Sequence, residues 1–425
     1  MRLGPIEIPA SGYMTLVPSV GKVGIEFWYY PELRPATASL HANDLEVKFE
    51  TARGTIRSVV ASGGRESIGT SSPFGFGQIL YERFDASNVA AYVKSYVKIN
   101  ADWAVNELGK PAMPPTATTP YRAASPTNFT VRYTNSWFAG EAIMEAPASA
   151  QVPFDVTTRY VFYNWQPFFD IEVTVHNKPA DPWPEAAWIC LPFNVDSPQF
   201  RLGRQGSIVD PAKDLVPGAN HNLYAIDTGV AIFNAEGRGV GVCPLDSPLV
   251  SLDEPGCWKY SRDFVPKKPV LFINLFNNQW TTNFRLWNQG TWTSRVRIWR
   301  FDRFDAERDL VRPSLEARYP LQAVCVSGKG GKLPLSQSGL ELSRGGALVT
   351  AFGPNPDGSG TLLRLWELAG KTEPCLVRLP AGLKVKSAQP VDLRGRPSGA
   401  ALPVKDNSFE TPLHAFAPAS FVLEK

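Results

Sequence analysis

Apolar and polar residues alternate along much of the chain. Leu45-Glu46-Val47-Lys48-Phe49-Glu50, Phe129-Thr130-Val131-Arg132-Tyr133 and Ile171-Glu172-Val173-Thr174-Val175 show the pattern, as do Arg295–Phe301 and Leu362–Leu368. Alternation of this kind puts apolar side chains on one face of a strand and polar ones on the other, as antiparallel sheets with one solvated side require. Clusters of Gly, Pro, Asn and Ser break the runs, at Ser62-Gly63-Gly64, Pro179–Pro182 and Gly353–Gly358. The connections are therefore predicted to be hairpins and loops rather than crossover helices. One segment predicts a helix. Asp85 and Ser87 offer N-caps, and Val89, Tyr92, Val93 and Tyr96 recur at helical spacing behind them. It leads through Ala101–Lys110 into a Pro/Thr-rich stretch, Pro111–Pro126, readable either as a lid or as a surface loop. The pattern predicts an all-β protein.

Three divisions are expected: residues 1–40 as amino-terminal strands and a Pro-rich linker, 41–328 as the longest run of paired strands, and 329–425 as a carboxy-terminal β domain set off by the Gly/Lys/Ser-rich passage Ser327–Lys332. Composition sharpens this in a few ways. The 34 glycines and 38 prolines in 425 residues have no fixed period, which fits many turns and argues against collagen-like or repeat architectures. With 43 basic against 40 acidic residues and no basic run longer than a pair, nucleic acid and membrane are not expected partners. Five cysteines, none in a C-x-x-C pair, exclude a zinc knuckle and a dense disulfide framework, and read as buried thiols in a reducing compartment. The amino terminus has no apolar signal region and no 18-residue apolar stretch occurs, so a cytoplasmic location is expected. Ile6-Glu7-Ile8 already alternates, so the chain reads as a domain of something larger or as a subunit working with a partner.

Several segments resemble the carboxy-terminal β domains of glycoside hydrolase family 38, the α-mannosidase family. They are Leu45–Val60, Phe76–Phe84, Gly241–Val250 with its Asp246-Ser247-Pro248-Leu249 turn, and Leu363-Arg364-Leu365-Trp366-Glu367 with Gly370. The strongest is Asn277-Asn278-Gln279-Trp280-Thr281-Thr282-Asn283-Phe284, similar to the family's Asn-Asn-x-Trp-x-Thr-Asn-Phe run, with Arg285 where proline is usual. The resemblance implies a large antiparallel supersandwich of galactose-mutarotase-like type, flanked by smaller β modules. It also implies that catalysis belongs to an α/β barrel carrying zinc and an Asp nucleophile, and nothing in this chain resembles that barrel. His41, His176, His221 and His414 are scattered, and none belongs to a His-x-Asp pair. No metal site and no cofactor are expected here, with zinc on a catalytic partner domain where one exists.

The expected ligand is a carbohydrate, and the expected protein partner is a catalytic barrel or a second copy of the chain. No catalytic residue is assigned. Candidate substrate-binding residues are Asn277, Asn278, Trp280, Thr282, Asn283, Arg285, Asp246, Glu82 and His221. Sugars are held by stacking a CH-rich ring face on an aromatic and by amide or guanidinium hydrogen bonds to hydroxyls, and the Asn277–Trp287 run supplies both. Its alternative reading makes Trp280 and Trp287 core residues and the asparagines partners for buried backbone. Trp299, on an alternating strand, is expected in the core, while Trp258 in an acidic turn is expected to be exposed. Two other readings remain: a stand-alone mutarotase-like lyase or epimerase built on carboxylates among Glu82, Glu185, Asp246, Asp253, Glu254 and Asp263, and a non-catalytic scaffold.

Overall fold

The computed structural model describes residues 8–9, 11–16, 39–70, 72–99, 101–103, 107, 110, 113, 117–281, 283–326 and 331–425. Two units divide the chain. The larger is Phe27–Leu202 with Val209–Phe304, and the smaller joins Met1–Glu26, Gly203–Ile208 and Asp305–Lys425. The all-β expectation holds in both.

The larger unit is a sandwich of antiparallel sheets. Part of its nine-stranded sheet runs in the order Gly239–Pro244, Gly290–Phe301, Phe168–Lys178, Asp155–Tyr163, Ala139–Ala146 and Thr130–Asn135. A six-stranded sheet has the order Tyr224–Ala225, Leu249–Leu252, Val270–Asn277, Glu185–Pro192, Gln78–Arg83, Arg122–Ala124. Ile171, Val173, Tyr160 and Phe162 from the first meet Ile79, Tyr81, Ile189 and Ile273 from the second in one core. The hairpin sheet of Ser39–Ala42, Leu45–Glu50 and Thr55–Ala61 adds Val47, Phe49 and Val59 to it.

The six-stranded sheet is covered on its other face as well. Leu80, Trp188, Cys190 and Phe272 point into a second core with Phe84, Val89, Tyr92, Cys257 and Trp258. Every residue of Glu185–Pro192 is consequently buried, which is why this strand shows no alternation in sequence. The covering layer includes the predicted helix, found at Ala86–Tyr96. Asp85 closes it with a capping box: its carboxylate accepts from the Asn88 N–H (2.8 Å), while its own N–H donates to the Asn88 side chain (3.1 Å).

In the smaller unit a five-stranded sheet, which includes Ala347–Pro354, Thr361–Glu367 and Pro418–Glu424, shares a core with Glu373–Arg378 and Ser408–Leu413 through Leu363, Leu365, Val377, Phe409 and Phe421. The Leu-Trp-Glu and Gly370 motif has a structural use here. Buried Glu367 accepts from the N–H groups of Ala369, Gly370, Lys371 and Phe416, and Arg344 lies 3.2 Å away. Gly370 takes φ of 78°, and a Cβ there would meet the Phe416 ring at 2.6 Å, so the turn requires glycine. The helical stretch Glu307–Arg318, which the alternation pattern did not single out, also lies in this unit.

Candidate functional site

The second face of the six-stranded sheet carries a cavity of about 450 Å³. Its walls are aromatic, from Phe74, Phe84, Tyr121 and Trp258, and Glu82 lines it from the strand Gln78–Arg83. Asp253, Glu254, Lys259 and Lys268 also border it. The lysines are paired there, Lys259 with Glu254 at 3.0 Å and Lys268 with Asp253 at 3.7 Å.

Glu82 faces this layer because the strand's period sends Ile79 and Tyr81 to the inter-sheet core and Leu80 and Glu82 outward. Only 5% of the residue is exposed. The Trp188 indole N–H donates to one carboxylate oxygen and the Tyr121 hydroxyl to the other, each at 2.7 Å. No lysine, arginine or histidine among the described residues lies within ion-pair distance of it. Burial pushes the Glu82 carboxyl above the usual glutamate range; the Tyr121 and Trp188 hydrogen bonds and Lys259 pull it down, and Glu254 adds a smaller upward push. Burial, followed by the charge of Glu82, raises the Tyr121 hydroxyl in turn.

Trp258 is 4% exposed and corrects the expectation that it would be. It sits in the left-handed region at φ 59°, and its backbone N–H donates to the Gln279 side-chain oxygen at 2.6 Å, so the turn folds the indole inward. The ring packs on Phe84 and Tyr92 at centroid distances of 6.1 and 5.5 Å. Lys110 lies with its ammonium 5.8 Å from the same ring, and burial pulls its pKa down to about 8. Trp299, expected in the core, is buried.

On the opposite face of the same sheet lies a second buried glutamate. Glu185 pairs in register with Arg83, one step from the pairing of Ala186 with Glu82. Its carboxylate is 2.5 Å from the Lys178 ammonium, both side chains fully buried, and accepts from the Tyr81 hydroxyl at 2.7 Å. Lys178 also donates to the carbonyls of Pro179 and Asn288, each at 3.0 Å. This carboxylate is spent on structure.

The remaining candidates are dispersed. The strand Val270–Asn277 ends where the Asn-Asn-Gln-Trp run begins, so the run does not alternate between faces. Asn278 is buried and wholly engaged by backbone. It accepts from the Glu185 N–H (2.9 Å) and donates to the carbonyls of Trp183 (2.7 Å) and Leu286 (3.0 Å). Asn277 bonds to Asn274 and to the Gln279 N–H. Trp280 is half-buried, Asn283 and Arg285 are exposed, and Thr282 lies outside the described residues. Asp246 holds Arg295 through two bonds of 2.9 Å in a surface ion pair, and the His221 ring nitrogen meets the Phe264 carbonyl at 3.2 Å. Of the eight described candidates, Glu82 alone is among the residues lining the cavity. Two other carboxylates weighed for stand-alone chemistry, Asp253 and Glu254, line it too. Tyr121 and Trp188, which hold Glu82, were not singled out as site residues, because only the strand pairing and the loop path bring them to it. Among the described residues no group of three or more His, Cys, Asp or Glu could hold a metal ion, so this donor set does not fit zinc.

Comparison with known proteins agrees with the resemblance read from the sequence. Residues 347–417 match the model of the glycosyl hydrolases family 38 C-terminal beta sandwich domain. The Leu363–Gly370 motif falls inside that segment. An alpha-mannosidase from Enterococcus faecalis V583 has a similar fold, at a TM-score of 0.61 and 13% identity over 92% of this chain and 42% of that one. A glycosyl hydrolase family 38 protein from Enterococcus faecalis gives a TM-score of 0.60 and 13% identity, covering 92% and 44% of the two chains. The chain thus spans less than half the length of these solved structures. No curated protein matches it. No helix among the described residues is long and apolar enough to cross a membrane.

Proposed function

We propose that this chain is the carboxy-terminal β part, or a separate β subunit, of an α-mannosidase-like glycoside hydrolase, and that it helps shape a sugar pocket completed by a catalytic barrel. The observation that carries the reading is the fold match: 92% of the chain overlays on 42% of an α-mannosidase, and residues 347–417 match the model of the family's carboxy-terminal sandwich domain. The described residues form β-sandwiches with isolated helices and include no metal-ligand cluster; on this reading nucleophile and zinc belong to the partner barrel. Without a nucleophile and an acid, positioning alone leaves the main barrier to glycoside cleavage in place.

The test is to purify the chain alone and to recover it by antibody from a native extract, and then to assay both on an aryl α-mannoside. The purified chain should give no turnover and no bound zinc, while α-mannosidase activity should accompany the recovered complex. An inactive complex would overturn the assignment. Turnover by the chain alone that vanishes in Glu82→Gln would replace it with the stand-alone sugar enzyme.

A further inference from the structure

We propose that the cavity lined by Glu82 binds a compact protonated amine carried on a sugar-sized ring, with the ammonium against the Glu82 carboxylate and the ring on the aromatic wall. The class of ring rests on the carbohydrate reading above; the ammonium rests on this cavity alone. Glu82 carries a carboxyl group 95% removed from solvent and bordering a space of about 450 Å³, large enough for one hexose-sized ligand. An isolated buried carboxylate is costly unless a proton or a cation neutralises it. Glu185 shows the protein's usual solution, a lysine at 2.5 Å. Glu82 has two neutral donors, Trp188 and Tyr121, and among the described residues no cation within ion-pair distance. Each oxygen of an ionised carboxylate has the lone-pair capacity to accept from more than one donor.

The wall favours the same ligand. Phe84, Tyr121 and Trp258 present aromatic rings, whose faces attract a cation and also stack on the CH face of a sugar. The lysines bordering the cavity are paired with Asp253 and Glu254; Lys259 acts on Glu82 through space, and neither lysine is in contact with its carboxylate.

Binding should therefore compete with protonation of Glu82. The groups facing it are Tyr121 just before the strand Arg122–Ala124, Trp188 and Cys190 from the neighbouring strand, and Glu254, Cys257 and Lys259 from the loop, with Asp253 and Lys268 further along the lining and the Lys110 ammonium 5.8 Å from the Trp258 ring. Burial raises Cys190 and Cys257 well above the ordinary thiol range, so both stay neutral across the acid and neutral range.

The experiment is calorimetric titration of the full chain with D-glucosamine and with D-glucose at pH 6.5, repeated at pH 4.5 and with Glu82→Gln. Glutamine is isosteric: its carbonyl can accept from Trp188 while its amide donates to the Tyr121 oxygen, which keeps the layer packed. Glucosamine should bind about tenfold or more tightly than glucose, weaken at pH 4.5, and fall to the level of glucose in Glu82→Gln. Equal affinity for the two sugars, full affinity in a folded Glu82→Gln chain, or no binding of either sugar would each overturn the proposal. The comparison of the two sugars on the unaltered chain stands even if the variant fails to fold. No partner barrel enters the titration, so failure here leaves the α-mannosidase assignment to its own assay.

Discussion

Glu82 and Glu185 sit on adjacent paired strands, one register step apart, and face opposite sides of one sheet. Both are buried. Glu185, toward the inter-sheet core, has a lysine and a tyrosine hydroxyl as partners. Glu82, toward the outer layer, has neutral donors only and a cavity in front of it. Burial alone thus says little about use. The counter-charge separates a carboxylate that holds the fold from one left available for chemistry or binding.

Breaking the paired glutamate should have the largest effect. Lys178→Met leaves Glu185 charged and uncompensated, at an expected cost of about 3–5 kcal/mol of stability, read from denaturant midpoints. A cost below about 1 kcal/mol would mean that the pair is not held as described. Asn278→Ala comes next. It removes one accepted and two well-placed donated bonds to buried backbone, for about 2–3 kcal/mol at roughly 1 kcal/mol per bond. A neutral result there, with loss of sugar affinity, would return the residue to the sugar-wall reading.

That asparagine shows how far the sequence could be read. Leu45–Glu50, Thr130–Asn135 and Phe168–Lys178 were visible as strands because each has one buried face. The helix was visible in its cap and spacing. Glu185–Pro192 was not, because two covered faces erase alternation. Composition placed polar and aromatic residues together at 277–287, but composition does not say whether an amide faces a ligand or a carbonyl. Asn278 faces carbonyls. Of the cavity, the sequence showed Glu82, Asp253 and Glu254 as separate candidate carboxylates, with nothing to bring them together. The Glu82 partners Tyr121 and Trp188 are 39 and 106 residues away, and nothing local marks them.

Smaller effects sharpen the comparison from the other side. Glu82→Gln should change stability by no more than about 1 kcal/mol, with a sign set by pH. The folded-state pKa of Glu82 is raised, so the folded chain holds a proton that the unfolded chain releases. Stability of the unaltered chain should fall as pH rises from the ordinary glutamate value through the raised one, and the variant should lack that component. Thermal midpoints from pH 4 to 8 for both chains check this, and parallel curves would count against it. Smallest of all, Arg295→Ala at the exposed Asp246 pair should cost less than about 1 kcal/mol.

The central claim is that Glu82 is a buried carboxyl with no counter-ion in contact among the described residues. Carbon-13 NMR of side-chain-labelled glutamate, assigned by Glu82→Gln, follows that carboxyl directly as pH changes. The account predicts a titration midpoint clearly above the ordinary glutamate value, moving down when glucosamine is added. A midpoint at or below the ordinary value in the free chain would mean that an unrecognised positive charge already neutralises Glu82, and would contradict the account.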